Sequence, residues 1–278
     1  MFTTLVSAAE LAAHLDDPAW LIFDCRHDLA DTAVGRRAYA QSHIPGARFV
    51  HLDEDLSGPK TGRNGRHPLP DPRQFCTRLA ALGMRNDRQV VAYDASGGCY
   101  AVRLWWMLRW VGHMEVAVLD GGWDAWHQAG AAVTAQLPVV QPAAFSGSAR
   151  DVAVDTRFML DGLGQPHNIV IDSRSADRFR GENETLDPVA GHIPGALNRF
   201  FKNNLAGDGR FKAAADLRAE YAQLLGAASP RQVVHLCGSG VTACHNLLAM
   251  EIAGFTGSKL YPGSWSEWCS DPQRPVAR

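Results

Sequence analysis

The chain has 278 residues, 46% of them hydrophobic, with 27 lysines and arginines against 29 aspartates and glutamates. A net charge of −2 sets up no field for nucleic acid or a membrane surface as main partner, and the length favours two domains. The opening MFTTLVSAAELAAHLDD lacks a basic n-region and carries Glu10, which argues against a signal peptide. No apolar stretch reaches the ~18 residues of a membrane span, so the expected setting is cytoplasmic.

In chain order, Ser7 followed by Glu10 has the spacing of a capping box and starts a first helix. LIFD (21–24) is a continuous apolar run that reads as a buried strand. The segments SHIPGA (42–47), HLDED (51–55) and GRHPLP (65–70) follow. DPRQFCTRLAALG (71–83) has helical spacing and ends in glycine, then VVAYD (90–94) reads as another buried strand. AQLPVVQPAAFSGSARD (135–151), rich in Pro, Ala and Ser and without periodicity, is the linker. We therefore expect one domain over 1–136, a linker over 137–151 and a second domain over 152–278. Within the second, IVID (169–172) and VVHL (233–236) are strands and AADLRAEYAQLLG (214–226) is a helix. After 241, apolar residues at Val241, Cys244, Leu248, Ile252 and Phe255 give a further helix, which Gly254 should stop.

The two halves repeat one another. LIFDCR matches IVIDSR, SHIPGA matches GHIPGA, VVAYDASGG matches VVHLCGSGV and GGWDAW matches GSWSEW, all in the same order. The expected fold class is α/β, with two tandem domains that each form a small parallel sheet with helices on both faces.

One element of the second copy carries chemistry. A strand ends, Cys237 follows at once, then Gly238-Ser239-Gly240, then a helix. The thiol thus sits at the carboxyl end of a parallel strand, where open α/β sheets build their sites. Glycines let the following N–H groups curl around the sulfur, and the helix N-terminus adds positive partial charge. These effects favour thiolate over thiol and make Cys237 a nucleophile. The first copy has Asp94 at the matching position, so one half is expected to be active and the other inactive. Cys25, Cys76, Cys99, Cys244 and Cys269 form no CxxC pair and read as small buried hydrophobes. Cys244 and His245 have no further ligand at metal-site spacing, so no metal or cofactor is expected.

These residues resemble the rhodanese sulfurtransferase family in its two-domain form. The resemblance rests on Asp24-Cys25-Arg26 and Asp172-Ser173-Arg174, the two HIPGA segments, Tyr93-Asp94-Ala95-Ser96 and the tryptophan-rich stretches. The loop Cys237-Gly238-Ser239-Gly240-Val241-Thr242 looks like that of 3-mercaptopyruvate sulfurtransferases. Thiosulfate sulfurtransferases typically place basic residues after the cysteine. The resemblance implies transfer of sulfane sulfur from 3-mercaptopyruvate, or alternatively thiosulfate, through a Cys237 persulfide to cyanide or to a thiol acceptor such as thioredoxin. It implies that Gly238, Gly240, Val241 and Thr242 line the substrate site and that Arg178 holds the substrate carboxylate. It further implies that Ser239 polarises the substrate in a relay with His67 and Asp53 across the domain interface.

The family's second arginine has no counterpart in GENETLDPVAG (181–191), which carries acids instead. The same matches assign Arg26, Arg174, His43 and His192 to structure and Trp265 and Trp268 to packing near the site. A cysteine phosphatase would need an arginine six positions after the thiol, where this chain has Ala243. A non-catalytic sulfur-sensing module fits the first half better than the whole.

Overall fold

The computed structural model describes residues 1–165 and 167–278. The chain forms two compact units. In the first, strands β1 (Leu5–Val6), β2 (Trp20–Asp24), β3 (Arg48–Phe49), β4 (Gln89–Tyr93) and β5 (Val116–Leu119) form one parallel sheet in the order β1-β5-β4-β2-β3. Its helices are α1 (Ala8–Ala12), α2 (Val34–Gln41), α3 (Pro72–Ala81), α4 (Ala101–Trp110) and α5 (Gly122–Gln128). In the second, β6 (Ile169–Asp172), β7 (Leu197–Asn198), β8 (Val233–Leu236) and β9 (Lys259–Leu260) pair in parallel in the order β7-β6-β8-β9. Helices α6 (Thr156–Asp161), α7 (Ala176–Phe179), α8 (Ala214–Leu225), α9 (Ala243–Ile252) and α10 (Ser264–Trp268) belong to it. Among the described residues no helix is long and apolar enough to cross a membrane.

The apolar runs become strands because both sheet faces are covered. Every residue of β4 and of β8 is buried, which a one-sided sheet would not allow. The capping box at Ser7 is present: its Oγ accepts from Glu10 N, and the Glu10 carboxylate accepts from Ser7 N at 2.8 Å. In each unit the arginine after the strand aspartate ties three features together. Arg26 donates to Asp24 (2.6 Å) and to Ser42 O (2.6 Å) and lies over the Trp123 ring. Arg174 does the same with Asp172 (2.7 Å), Gly191 O (2.8 Å) and Trp265. The histidine of each HIPGA segment is structural too. His43 stacks on Tyr39 and contacts its carbonyl, and His192 does likewise with Phe179.

Two short segments depart from a division at the linker. Pro59–Leu69, expected within the first domain, groups with the second unit, and Gly207–Arg210 groups with the first. Residues 59–69 form no helix or strand and contribute little core of their own. They are fixed by specific contacts instead: Arg66 N donates to Ser266 Oγ (3.0 Å) and Ser270 Oγ to Arg63 O (3.4 Å). Residues 143–150 are strapped to the first unit by Ala143 N to Ala80 O, Ser148 N to Val111 O and Arg150 N to Trp110 O.

Candidate active site

Cys237 follows β8 directly and is buried, 2% exposed. Its carbonyl accepts from Trp265 N (3.0 Å), and its own N–H donates to Ser264 Oγ (3.1 Å). The loop then turns back over the sulfur, so that Ser239 N and Gly240 N point at Sγ from 3.5 and 3.2 Å. Gly240 has φ +76°, and a Cβ there would lie 2.3 Å from Pro262 O, so only glycine fits. Val241 is buried, and Thr242 precedes the first turn of α9. Residues 243–250 of that helix are all buried, which fixes it in the core directly after the loop. Two amide dipoles therefore converge on one sulfur, in the loop that leads into the N-terminus of α9.

Ser264 is the one non-glycine residue at positive φ among those described, at +53°. The first copy has Gly122 there, at φ +56°. Ser264 trades backbone ease for a hydroxyl that receives the Cys237 N–H and donates to Tyr261 O (3.0 Å).

Ser239 and His67 are both buried, and Ser239 Oγ lies 2.8 Å from His67 Nδ1. The pair forms because residues 59–69 belong to the second unit. Asp53 belongs to the first unit. There its carboxylate is 3.9 Å from His27 Nε2. Asp53, His27 and His51 are the one cluster of metal-ligating groups among the described residues. His51 is already spent: Nε2 contacts Thr32 O at 2.9 Å, and Nδ1 receives the N–H of Asp53 at 3.2 Å.

Arg178 is placed at the loop, and it is not a free cation. Its Nε and Nη2 grip both oxygens of Glu184 (2.8–3.1 Å), and Nη2 also reaches Asp187 at 3.4 Å. A second guanidinium lies beside it, that of Arg66, which ion-pairs with Asp187. A Cβ at residue 238 would lie 2.8 Å from Arg66 Nη2 and 3.5 Å from Arg178 Nη2. The loop itself is uncharged, as its sequence says, and the groups nearest to it above Gly238, its roof, are two guanidinium groups held by buried carboxylates.

The acids of 181–191 hold that roof in place. Glu184 bridges Arg174 and Arg178, and Asp187 bridges Arg178 and Arg66. Burial pushes Glu184 up, yet its contact with Arg178 overrides this and holds the carboxyl below its ordinary range. For Asp187 burial prevails and the shift is upward. With Asp172 beneath Arg174, three anions and three cations alternate. Sequence reasoning missed Arg66, Glu184, Asp187 and Ser264. The one available signal for Arg66 was its place next to His67.

Of the remaining cysteines, Cys25, Cys76, Cys244 and Cys269 are buried as expected, whereas Cys99, expected to be buried too, is half-buried. Burial pushes the thiols of Cys25 and Cys76 up, and that of Cys269 to about 11. Cys244 Sγ lies 3.5 Å from Gly240 O, and His245 stacks on Phe211. In the first unit Asp94 occupies the cradle itself. Its carboxylate accepts from four backbone N–H groups, those of Ser96, Gly98, Tyr100 and Ala101, at 2.7–3.0 Å. Burial pushes this carboxyl up and the four amides pull it down.

Known proteins share this architecture over the whole chain. The model of the rhodanese-like domain matches residues 7–129 and 157–271. A Pseudomonas aeruginosa protein named "Probable 3-mercaptopyruvate sulfurtransferase" is 48% identical over 98% of this chain and 97% of its own. The Bos taurus thiosulfate sulfurtransferase is 33% identical over 96% of this chain and 92% of its own. The solved 3-mercaptopyruvate sulfurtransferase from Leishmania major superposes with a TM-score of 0.86 at 31% identity, covering 99% of this chain and 76% of that one. Two copies of one strand-loop-helix cradle, one closed on an aspartate and one on a cysteine, together with these matches, show that the chain belongs to the family of rhodanese-like domain proteins.

Proposed function

We propose that the chain is a sulfurtransferase that takes sulfur from 3-mercaptopyruvate on Cys237 and passes it to a thiol or to cyanide. The observation that carries this reading is the pair of amides, Ser239 N and Gly240 N, aimed at Cys237 Sγ beneath an uncharged loop. Such donors stabilise a thiolate, and the same donors serve the outer sulfur of a persulfide. The alternating charges of the roof sum to zero, which suits a monoanionic α-keto acid bound through N–H geometry rather than excess charge.

In the first step the Cys237 thiolate attacks the sulfur of the donor. The S–S bond forms as the C–S bond breaks, and the bonding pair passes to the carbon, leaving the enolate of pyruvate. Ser239 Oγ, coupled to His67, would polarise the keto oxygen and relay the proton that converts enolate to pyruvate. In the second step the acceptor attacks the outer sulfur and Cys237 leaves as thiolate, so ping-pong kinetics are expected. Thiosulfate is the second reading, favoured by the presence of two guanidinium groups over Gly238, which would also attract a dianion.

The test is pyruvate formation from 3-mercaptopyruvate beside thiocyanate formation from thiosulfate, on wild type and Cys237→Ser. The expected result is a large preference for mercaptopyruvate, loss of turnover in Cys237→Ser, and a donor-dependent mass gain of one sulfur on Cys237. Preference for thiosulfate would replace the donor assignment. Turnover that survives in Cys237→Ser would end the persulfide mechanism.

A further inference from the structure

The acidic segment 181–191 lacks an arginine, yet the space above the nucleophile's loop holds two guanidinium groups. Arg178 spends Nε and Nη2 on Glu184 and Asp187. Its Nη1 has no protein partner among the described residues and faces the Gly238 Cα at a distance where an added Cβ would meet it at 3.7 Å. Arg66 comes from a different stretch of chain and spends Nη1 on Asp187. Its Nη2 is the group nearest to that added Cβ, at 2.8 Å. Glu184 and Asp187 are 2% exposed at the side chain, whereas Arg178 and Arg66 are 19% and 29% exposed. The carboxylates are thus sunk and the cations stand above them with one N–H edge each turned to the loop. Two such edges side by side match the two oxygens of a carboxylate.

We infer that Arg66 is a second substrate-binding residue, which with Arg178 clamps the carboxylate of the sulfur donor above Gly238, and that Asp187 is the positioning residue that holds it there. This rests on the reading of Cys237 as the nucleophile of that site. It also explains Gly238: any side chain there would take the place of the anion and strike Arg66.

The test needs a readout that a general loss of structure, or a wrong donor, would not imitate. Iodoacetate and iodoacetamide both alkylate a thiolate by displacing iodide, and they differ in one carboxylate. Their rate ratio at Cys237, followed by peptide mass spectrometry, cancels changes in thiol reactivity common to both. Arg66→Gln should lower the iodoacetate-to-iodoacetamide ratio on the order of tenfold, the size of one charge-assisted contact. Arg66→Lys should restore part of it, and Asp187→Asn should lower it by less than Arg66→Gln. With mercaptopyruvate as donor, Arg66→Gln should raise KM more than it lowers kcat. A ratio unchanged within twofold in Arg66→Gln, with a fall in Arg178→Gln, would overturn the proposal and leave Arg178 as the sole clamp. A ratio unchanged in both would overturn the clamp altogether. A lowered ratio in an enzyme that ignores mercaptopyruvate would sustain the anion clamp and overturn the donor assignment alone.

Discussion

Asp94→Asn is the sharpest probe of the first unit. The wild-type carboxylate divides its four amide donors evenly. Oδ1 takes Ser96 N and Gly98 N, and Oδ2 takes Tyr100 N and Ala101 N. Asparagine is the same size but accepts at one oxygen only. Its NH2 group must face the other two N–H groups, which are then unsatisfied in a site with no exposure. Each buried orphan donor costs about 1–3 kcal/mol, and the two remaining bonds lose their charge assistance, so the loss is about 4 kcal/mol. That is a large part of a domain's typical stability of about 5–15 kcal/mol. Urea unfolding followed by tryptophan fluorescence reads this unit selectively, because only Trp265 and Trp268 of the eight tryptophans lie in the second. For an m-value near ~2 kcal/mol/M the midpoint should fall by about 2 M. Asp94→Ala, which leaves all four donors unpaired, should cost at least as much. A loss below about 1 kcal/mol in Asp94→Asn would refute the view that the carboxylate serves as the loop's built-in anion.

Other predictions concern the second unit. His235 is buried with Nδ1 unpartnered, and burial lowers its pKa to about 3. Below about pH 6.5 the unfolded chain takes up a proton that the folded one refuses, so stability falls with pH across the window from 6.5 to 3, by about 3 kcal/mol at pH 4.5. His235→Leu should flatten that part of the pH–stability curve, and an unchanged slope would count against the assignment. Ser264→Ala keeps the left-handed backbone while removing the acceptor of the Cys237 N–H, and should cost about 1–3 kcal/mol in denaturant unfolding. Ser264→Gly should cost less, since it relieves the strain. Ser239→Ala and His67→Gln should each lower kcat for mercaptopyruvate about a hundredfold. The double variant should be no worse than either, because the two side chains act as one proton path; additive losses in a double-mutant cycle would separate them.

The fold was legible because duplication wrote it twice. Four matched segments fixed the strand ends, and the buried runs of β2, β4, β6 and β8 admit no one-sided sheet. The cradle around Cys237 was legible because a strand end followed by two glycines leaves the next amides free to turn back on the sulfur. Arg178 does lie beside the loop, but its ion pairs had no signal in the sequence. The acids at 184 and 187 read as an absence of arginine when they are the sockets for two. Arg66 had only its place next to His67 to mark it, since nothing local in a turn-rich stretch tells which sheet it will lie against. Ser264 carries no local mark either: a serine at positive φ looks like any other, and only the glycine at the matching place in the first copy hints at it.

The inclusion of residues 59–69 in the second unit bears on how this chain can be divided. A cut at the sequence boundary near 150 would yield a half with the thiol and its amides but with no imidazole beside Ser239, and with the buried Asp187 robbed of one of its two cations. Swapping catalytic halves between relatives would mismatch the roof unless an eleven-residue strip from the other half travelled along. The second unit is thus completed by a strip of chain that lies, in sequence, inside the first.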